Sequence, residues 1–370
     1  MLKRSIIGLS LLFILLVFSS WGDIGHSMIS FRINLSFNEE MQGFNDWVFY
    51  LSEHSSDADW RKKDDPQEGP KHYIDIDNYS SFVEHGKIPQ DLDSCILLYG
   101  EEFVVENGTL PWATLASYDS VVNAMKQGRW NDAKKYAADL GHYVADGHMP
   151  MHITKNYDGQ LSGNKGIHAR YEIYMIERYQ DQITYTGSPA AQIEDIPGYI
   201  FSYLYKNYAY MDSILLADNY ATEMGNGNTT DTYYIALWER TENLTIEMFK
   251  NASHSLAELL YMAWIDAGRP ALNGEPSTLK ERKSESAEIS ISPNPVRNIA
   301  NVRYSLPHDC NLKPVIIDSS GRFANQMPSM QGSQGDNTFA LNVSGLSSGL
   351  YFLNLGAPES NYFTAFQVIQ

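Results

Sequence analysis

The chain has 370 residues, with 27 Lys and Arg against 45 Asp and Glu and a formal net charge of −18. Its 43% hydrophobic and 12% aromatic content is enough for large cores and excludes a wholly disordered protein. The acidic balance argues against a scaffold that wraps nucleic acid through a basic face, but not against an enzyme whose bound metal ions dominate the local field. Only Cys95 and Cys310 occur, so this is no disulfide scaffold.

Lys3 and Arg4 precede the apolar run 6–18, followed by Ser19, Ser20 and Trp21. A helix of that length reaches about 20 Å, short of a ~30 Å hydrocarbon core. Residues 1–20 therefore read as a secretory signal peptide, cleaved after Ser20. Its loss removes two basic residues and no acidic one, taking the net charge from −18 to −20.

Residues 21–272 are rich in Tyr, Trp and His and read mainly as helices. The segment 129–144 carries Trp130, Ala133, Tyr136, Ala137, Leu140 and Tyr143 at helical spacing, and a second pattern begins near Ala169. The longest runs from Thr232 towards Ala267, where Gly268 and Pro270 stop it. Residues 273–288 turn to Gly, Pro, Ser, Lys and Glu and read as a linker. From 289 to 370, short alternating segments such as VRYSL, PVIID, TFALNV and GLYFLNL predict a small all-β sandwich.

The chemistry lies in the histidines. His142 and Asp146 are four residues apart, one helical turn, where both can reach one ion. Pro150 should break that helix and let His152 turn towards a neighbouring position. His168 and Glu172 repeat the one-turn pairing. Two such pairs, expected near the starts of long helices, are hard to explain by packing and predict a metal site. His148 reads as a core residue, and His54, His85 and His254 as structural or exposed.

The pattern His-x3-Asp-x5-His followed by His-x3-Glu resembles the zinc-dependent phospholipase C family. It also resembles the related single-strand-specific zinc nucleases. The resemblance covers residues 21–270 and implies an all-α catalytic domain with three zinc ions in a cleft. Further ligands it implies are the amine and carbonyl of a mature N-terminal Trp21, His26 in WGDIGH, Asp59 in SSDADW and His72 in KHYIDID. On this resemblance one Zn2+ is held by Asp59, His72, His142 and Asp146. Asp146 bridges to a second with Trp21 and His26, and His152, His168 and Glu172 hold the third. The implied reaction is in-line attack on a phosphodiester by zinc-activated water. Asp59 either orients or deprotonates that water, or serves as a ligand alone.

The substrate stays open between a phospholipid and a single-stranded nucleic acid. Glu172 as the last ligand resembles the phospholipases. Trp60 sits where they place an aromatic residue against a choline head group, a cation–π contact of about 0.5–2 kcal/mol. The compact WGDIGH spacing resembles the nucleases, with Lys62 where they carry a phosphate-binding Arg. Tyr73 and Asp75 would suit base stacking and hydrogen bonding, yet the phospholipases have a similar pair. The net charge favours phospholipase C, with a single-strand-specific endonuclease/3′-nucleotidase as the alternative. A non-catalytic surface zinc-binding protein is the rival from another class.

In the tail, Ser292-Pro-Asn-Pro295, Asp318-x-x-Gly321-Arg322 and Gly345-Leu-x-x-Gly349-Leu-Tyr-Phe352 resemble the C-terminal sorting domain of the type IX secretion system. That resemblance implies Sec export followed by the outer-membrane translocon as partner, giving a secreted or cell-surface protein that meets a membrane only through its substrate.

Overall fold

The computed structural model describes residues 22–272, 289–306, 308–318, 323–356 and 363–369. The expected signal peptide, Trp21 and the expected linker 273–288 lie outside the described residues. The N-terminal part is helical and the tail is built of strands, as the change in periodicity predicts.

The long helix Asp231–Asp266 is the spine of the helical part, about 54 Å at 1.5 Å per residue. The Thr230 hydroxyl caps its start, accepting from the Tyr233 amide at 3.2 Å, and Gly268 leaves it at a φ of +89°. Its first half, with Tyr233, Leu237, Met248 and Phe249, joins one apolar cluster; its last turns, Leu256 to Ala263, join another. The helix Trp130–Asp146 buries Ala133, Ala137, Ala138, Leu140, Val144 and Ala145. A Cβ at Gly141 would meet Leu256 of the spine at 2.9 Å and the Ser30 hydroxyl of the helix Gly22–Phe31 at 3.3 Å. Three helices thus close to contact one residue before His142.

Two expectations need correction. The His142–Asp146 pair ends its helix rather than starting one, so both side chains emerge at the helix C-terminus. The second pair stands on no regular α-helix. After Ile167–Ala169 the backbone widens to a π-helical stretch, Arg170–Met175, before Ile176–Tyr179. Such stretches occur mostly as single-turn bulges inside α-helices and are frequent at functional sites.

The tail has nine strands among the described residues: β1 Ser290–Ser292, β2 Ile299–Leu306, β3 Cys310–Leu312, β4 Val315–Asp318, β5 Phe323–Gln326, β6 Met330–Gly332, β7 Gly335–Asn342, β8 Gly349–Asn354 and β9 Phe363–Val368. They form antiparallel sheets in the orders β1-β2-β7, β3-β6 and β5-β4-β8-β9. Strand β2 alternates so that Ala300, Val302, Tyr304 and Leu306 are buried. They share one core with Ile316, Leu353 and Phe366 of the four-stranded sheet, the two-layer arrangement expected of a sandwich.

One close approach in the helical part sets up the site. Gly108 has a φ of +86°, and a Cβ there would meet the Tyr73 carbonyl at 2.1 Å. Gly108→Ala is therefore expected to cost more than about 1 kcal/mol of stability, read from chemical denaturation, because the residue is strained and the Tyr73 backbone must move.

Candidate metal centre

The histidines and acids come from separate elements. His26 lies on the helix Gly22–Phe31, Asp59 on the short helix Asp57–Arg61, and His72 ends the 3-10 turn Gly69–His72. After Asp146 the chain leaves its helix at Gly147, and the 3-10 turn Pro150–His152 presents His152, in line with the expected effect of Pro150. His168 and Glu172 straddle the start of the π-helical stretch.

Among the described residues, three groups bring ligand atoms within 4.8 Å of one another: His26, His142 and Asp146; Asp59, His72 and His142; and His152, His168 and Glu172. Asp146 links the first two, with Oδ1 3.5 Å from His26 Nε2 and Oδ2 3.3 Å from His142 Nε2 and 3.1 Å from His72 Nδ1. Asp59 Oδ1 lies 3.5 Å from His72 Nδ1 and 3.7 Å from His142 Nε2. Glu172 faces His168 Nε2 at 2.6 Å and His152 Nε2 at 3.6 Å.

The imidazoles are oriented from behind. His142 Nδ1 donates to the Ser55 carbonyl at 2.7 Å, His152 Nδ1 to the His72 carbonyl at 2.6 Å and His168 Nδ1 to the Tyr157 carbonyl at 2.9 Å. Each turns its Nε2 inward, the tautomer a metal ligand needs. Asp146 Oδ1, His152 Nε2 and both Glu172 oxygens are buried without a hydrogen bond among the described residues. Burying such groups is costly unless a cation completes them. An all-nitrogen and oxygen donor set of this kind can hold divalent metal ions.

Electrostatics agree. Burial would raise the Asp146 carboxyl, but His142 and His152 hold it well below the usual carboxylate range. Burial would likewise raise Glu172, and His168 and His152 pull it down. Burial lowers His142, yet Asp146 and Asp59 outweigh it and push the imidazole up to about 9. Burial also lowers His152, which Asp146 and Glu172 push up to about 9. His26 goes the other way, to about 3, through burial first and then the neighbouring charge on His142. The carboxylates are thus ready to ligate, while a cation must displace the protons of His142 and His152.

A cleft of about 620 Å³ opens at these groups, with His72, His152 and His168 in its wall. Lys62, Tyr73 and Asp75, expected at the substrate, also line it. Lys62 forms an ion pair with Asp59. Trp60 is not brought there: it is 58% exposed and stacks its ring under Lys63 Nζ at 4.5 Å. It follows Asp59 on a helical turn, about 100° round from the carboxylate. His148 is a core residue as expected, donating to the Val144 carbonyl at 2.8 Å and stacked on Tyr203; burial pushes it down to about 4.

Sequence reasoning missed Ser55 and Tyr157, which act through backbone carbonyls and so leave no side-chain signal. It also missed Glu68, a buried carboxylate four residues before His72. That spacing repeats the His-x3-acid pattern in reverse and was a signal available to be used.

Residues 290–369 match the family described as a secretion system C-terminal sorting domain. The tail motifs are borne out. No curated protein matches the chain. Among solved structures, alpha toxin from Clostridium absonum is similar at 11% identity with a TM-score of 0.40, over 94% of this chain and 98% of that one. Alpha-toxin of Clostridium perfringens from an avian strain is similar at 13% identity and a TM-score of 0.41, over 94% and 96%. Likenesses this loose carry no weight for activity.

Asp75 gives the cleft a pH dependence. Burial, then the neighbouring Asp77 charge, pushes its carboxyl up to about 7, with Lys155 opposing. Between about pH 4 and 7 the unfolded chain releases this proton while the folded chain keeps it, so the group subtracts stability as pH rises. The stability of Asp75→Asn relative to the native chain is expected to grow from pH 4 to 7 and then level off, as followed by denaturation at each pH.

Proposed function

We propose that this chain is an exported zinc-dependent phosphodiesterase, acting foremost as a phospholipase C that releases diacylglycerol and a phosphorylated head group. The observation that supports it is the convergence of His26, Asp59, His72, His142, Asp146, His152, His168 and Glu172 into three adjoining groups. Imidazole and carboxylate without thiolate suit zinc in catalytic sites. When bound, three divalent ions against the three carboxylates supply net positive charge for a phosphate diester and activate water for attack.

The chain's own groups account for the rest. Asp59, buried beside His72 and His142, would orient or deprotonate the attacking water. Lys62 beside it can hold a phosphoryl oxygen. No protein nucleophile is needed. Pro66, Pro70, Tyr73 and Met151 make much of the cleft wall apolar, which favours the glycerol end of a lipid over a chain of phosphates. The local positive charge would confine phosphate attraction to the cleft of an otherwise acidic protein. Export is supported by the apolar N-terminal run and by the sorting tail, which implies delivery through the type IX system to the surface or medium.

A nuclease is the second reading, favoured by one observation: Tyr73 and Asp75 line the cleft with Lys62, whereas Trp60 stands outside it. The deciding experiment offers phosphatidylcholine vesicles and single-stranded DNA to mature protein, zinc-loaded or stripped by chelator. Chelator-sensitive release of phosphocholine is the expected result. Nucleotide release would establish the second reading instead, and zinc binding with turnover of neither would make the protein a non-catalytic zinc binder.

The reading also fixes the mature start. Exported protein is expected to begin at Trp21, and a variant retaining one extra residue before it to lose zinc from the His26 group and most activity. N-terminal sequencing with metal analysis checks this.

A further inference from the structure

Glu68 is 1% exposed, and burial of a carboxylate is expensive unless it is paired. Its partners are numerous: Oε2 accepts from Lys71 Nζ at 2.8 Å, and Oε1 accepts from Arg61 Nη2 at 3.3 Å and from the Tyr143 hydroxyl. Arg61 is itself held by Asp139 at 2.9 Å. This is an elaborate cradle for one carboxylate that the proposed chemistry does not use.

What it faces is His72. The ring turns Nδ1 towards Asp59, His142 and Asp146, and its Nε2 is buried without a hydrogen bond, 3.6 Å from Glu68 Oε1. The Tyr143 ring stands edge-on to the imidazole at 5.6 Å between centroids. His142, His152 and His168 each rest on a neutral backbone carbonyl. His72 alone among these four is backed by a carboxylate. A charged acceptor draws the distal N–H more strongly than a carbonyl and makes the inward nitrogen a better donor to a cation.

We propose that Glu68 is the positioning residue for His72, accepting a hydrogen bond from its Nε2–H when a cation is held by Asp59, His72, His142 and Asp146. The role rests on the zinc reading above. It fixes the imidazole in the Nδ1-inward tautomer and strengthens this ligand's hold on the ion.

The test is chelator competition on mature full-length protein loaded with Zn2+, counting ions per chain for the native sequence, Glu68→Gln and His72→Ala. Native protein holding three ions is the premise; a native chain that holds none overturns the zinc reading and this proposal with it. Given that premise, Glu68→Gln is expected to weaken one ion about 10- to 100-fold, the same ion that His72→Ala lacks, and to leave the other two unchanged. Native affinity at all three positions, or equal weakening of all three, would overturn the proposal, the second because it marks a general loosening of the fold. Should Glu68→Gln fail to fold with Arg61 and Lys71 unpaired, Glu68→Asp keeps the charge but withdraws it from His72, and the same selective loss is required of it.

Discussion

Asp146 is a fully buried carboxylate at the C-terminal end of a helix, where the helix dipole offers it no support, facing imidazoles from three other elements as well as its own. Such a charge is tolerable only if something positive is held beside it. His26 on one side and His72 on the other are brought to it by tertiary contacts alone, and the close three-helix approach at Gly141 makes that meeting possible. The helices converge there through small residues, with aromatic and aliphatic residues filling the space around them.

The site combines rigid and irregular backbone. Regular helices set His26, His142 and Asp146, so their positions are tied to the core. His72 and His152 come from 3-10 turns, and Glu172 from a π-helical stretch. The turns are pinned to each other: the His72 carbonyl accepts from His152 Nδ1, and the Ile74 amide donates to the His152 carbonyl at 2.8 Å. Irregular segments can then be as well placed as helical ones, because their polar backbone groups are spent on holding the ligands' rings.

The cleft wall gathers the side chains expected at the substrate. Lys62 bound to Asp59 couples the expected phosphate-holding cation to the floor, while Tyr73 and Asp75 sit on a strand of backbone buttressed by Gly108 and by the Asn107 carbonyl. The tail contributes an export address and, among the described residues, no ligand atom to the three groups.

Much of this was legible in the amino-acid sequence. Periodicity alone separates the helical part from the β tail, and the spacings of His142 with Asp146 and of His168 with Glu172 are local facts that a helical turn converts into proximity. The tail motifs carry their identity in their order. Other features depended on distance in the chain. Nothing local to WGDIGH, SSDADW or KHYIDID says that His26, Asp59 and His72 meet at Asp146; only packing of four separate elements does that. Nor could spacing reveal that Trp60 would turn outward beneath Lys63, since neighbours on a helical turn point about 100° apart and which one faces the cleft is decided by the core. The same holds for Glu68, for Ser55 and Tyr157 acting through their carbonyls, and for the π-helical step at Glu172, because sequence records residue types and short spacings, whereas orientation is set by what packs behind each side chain.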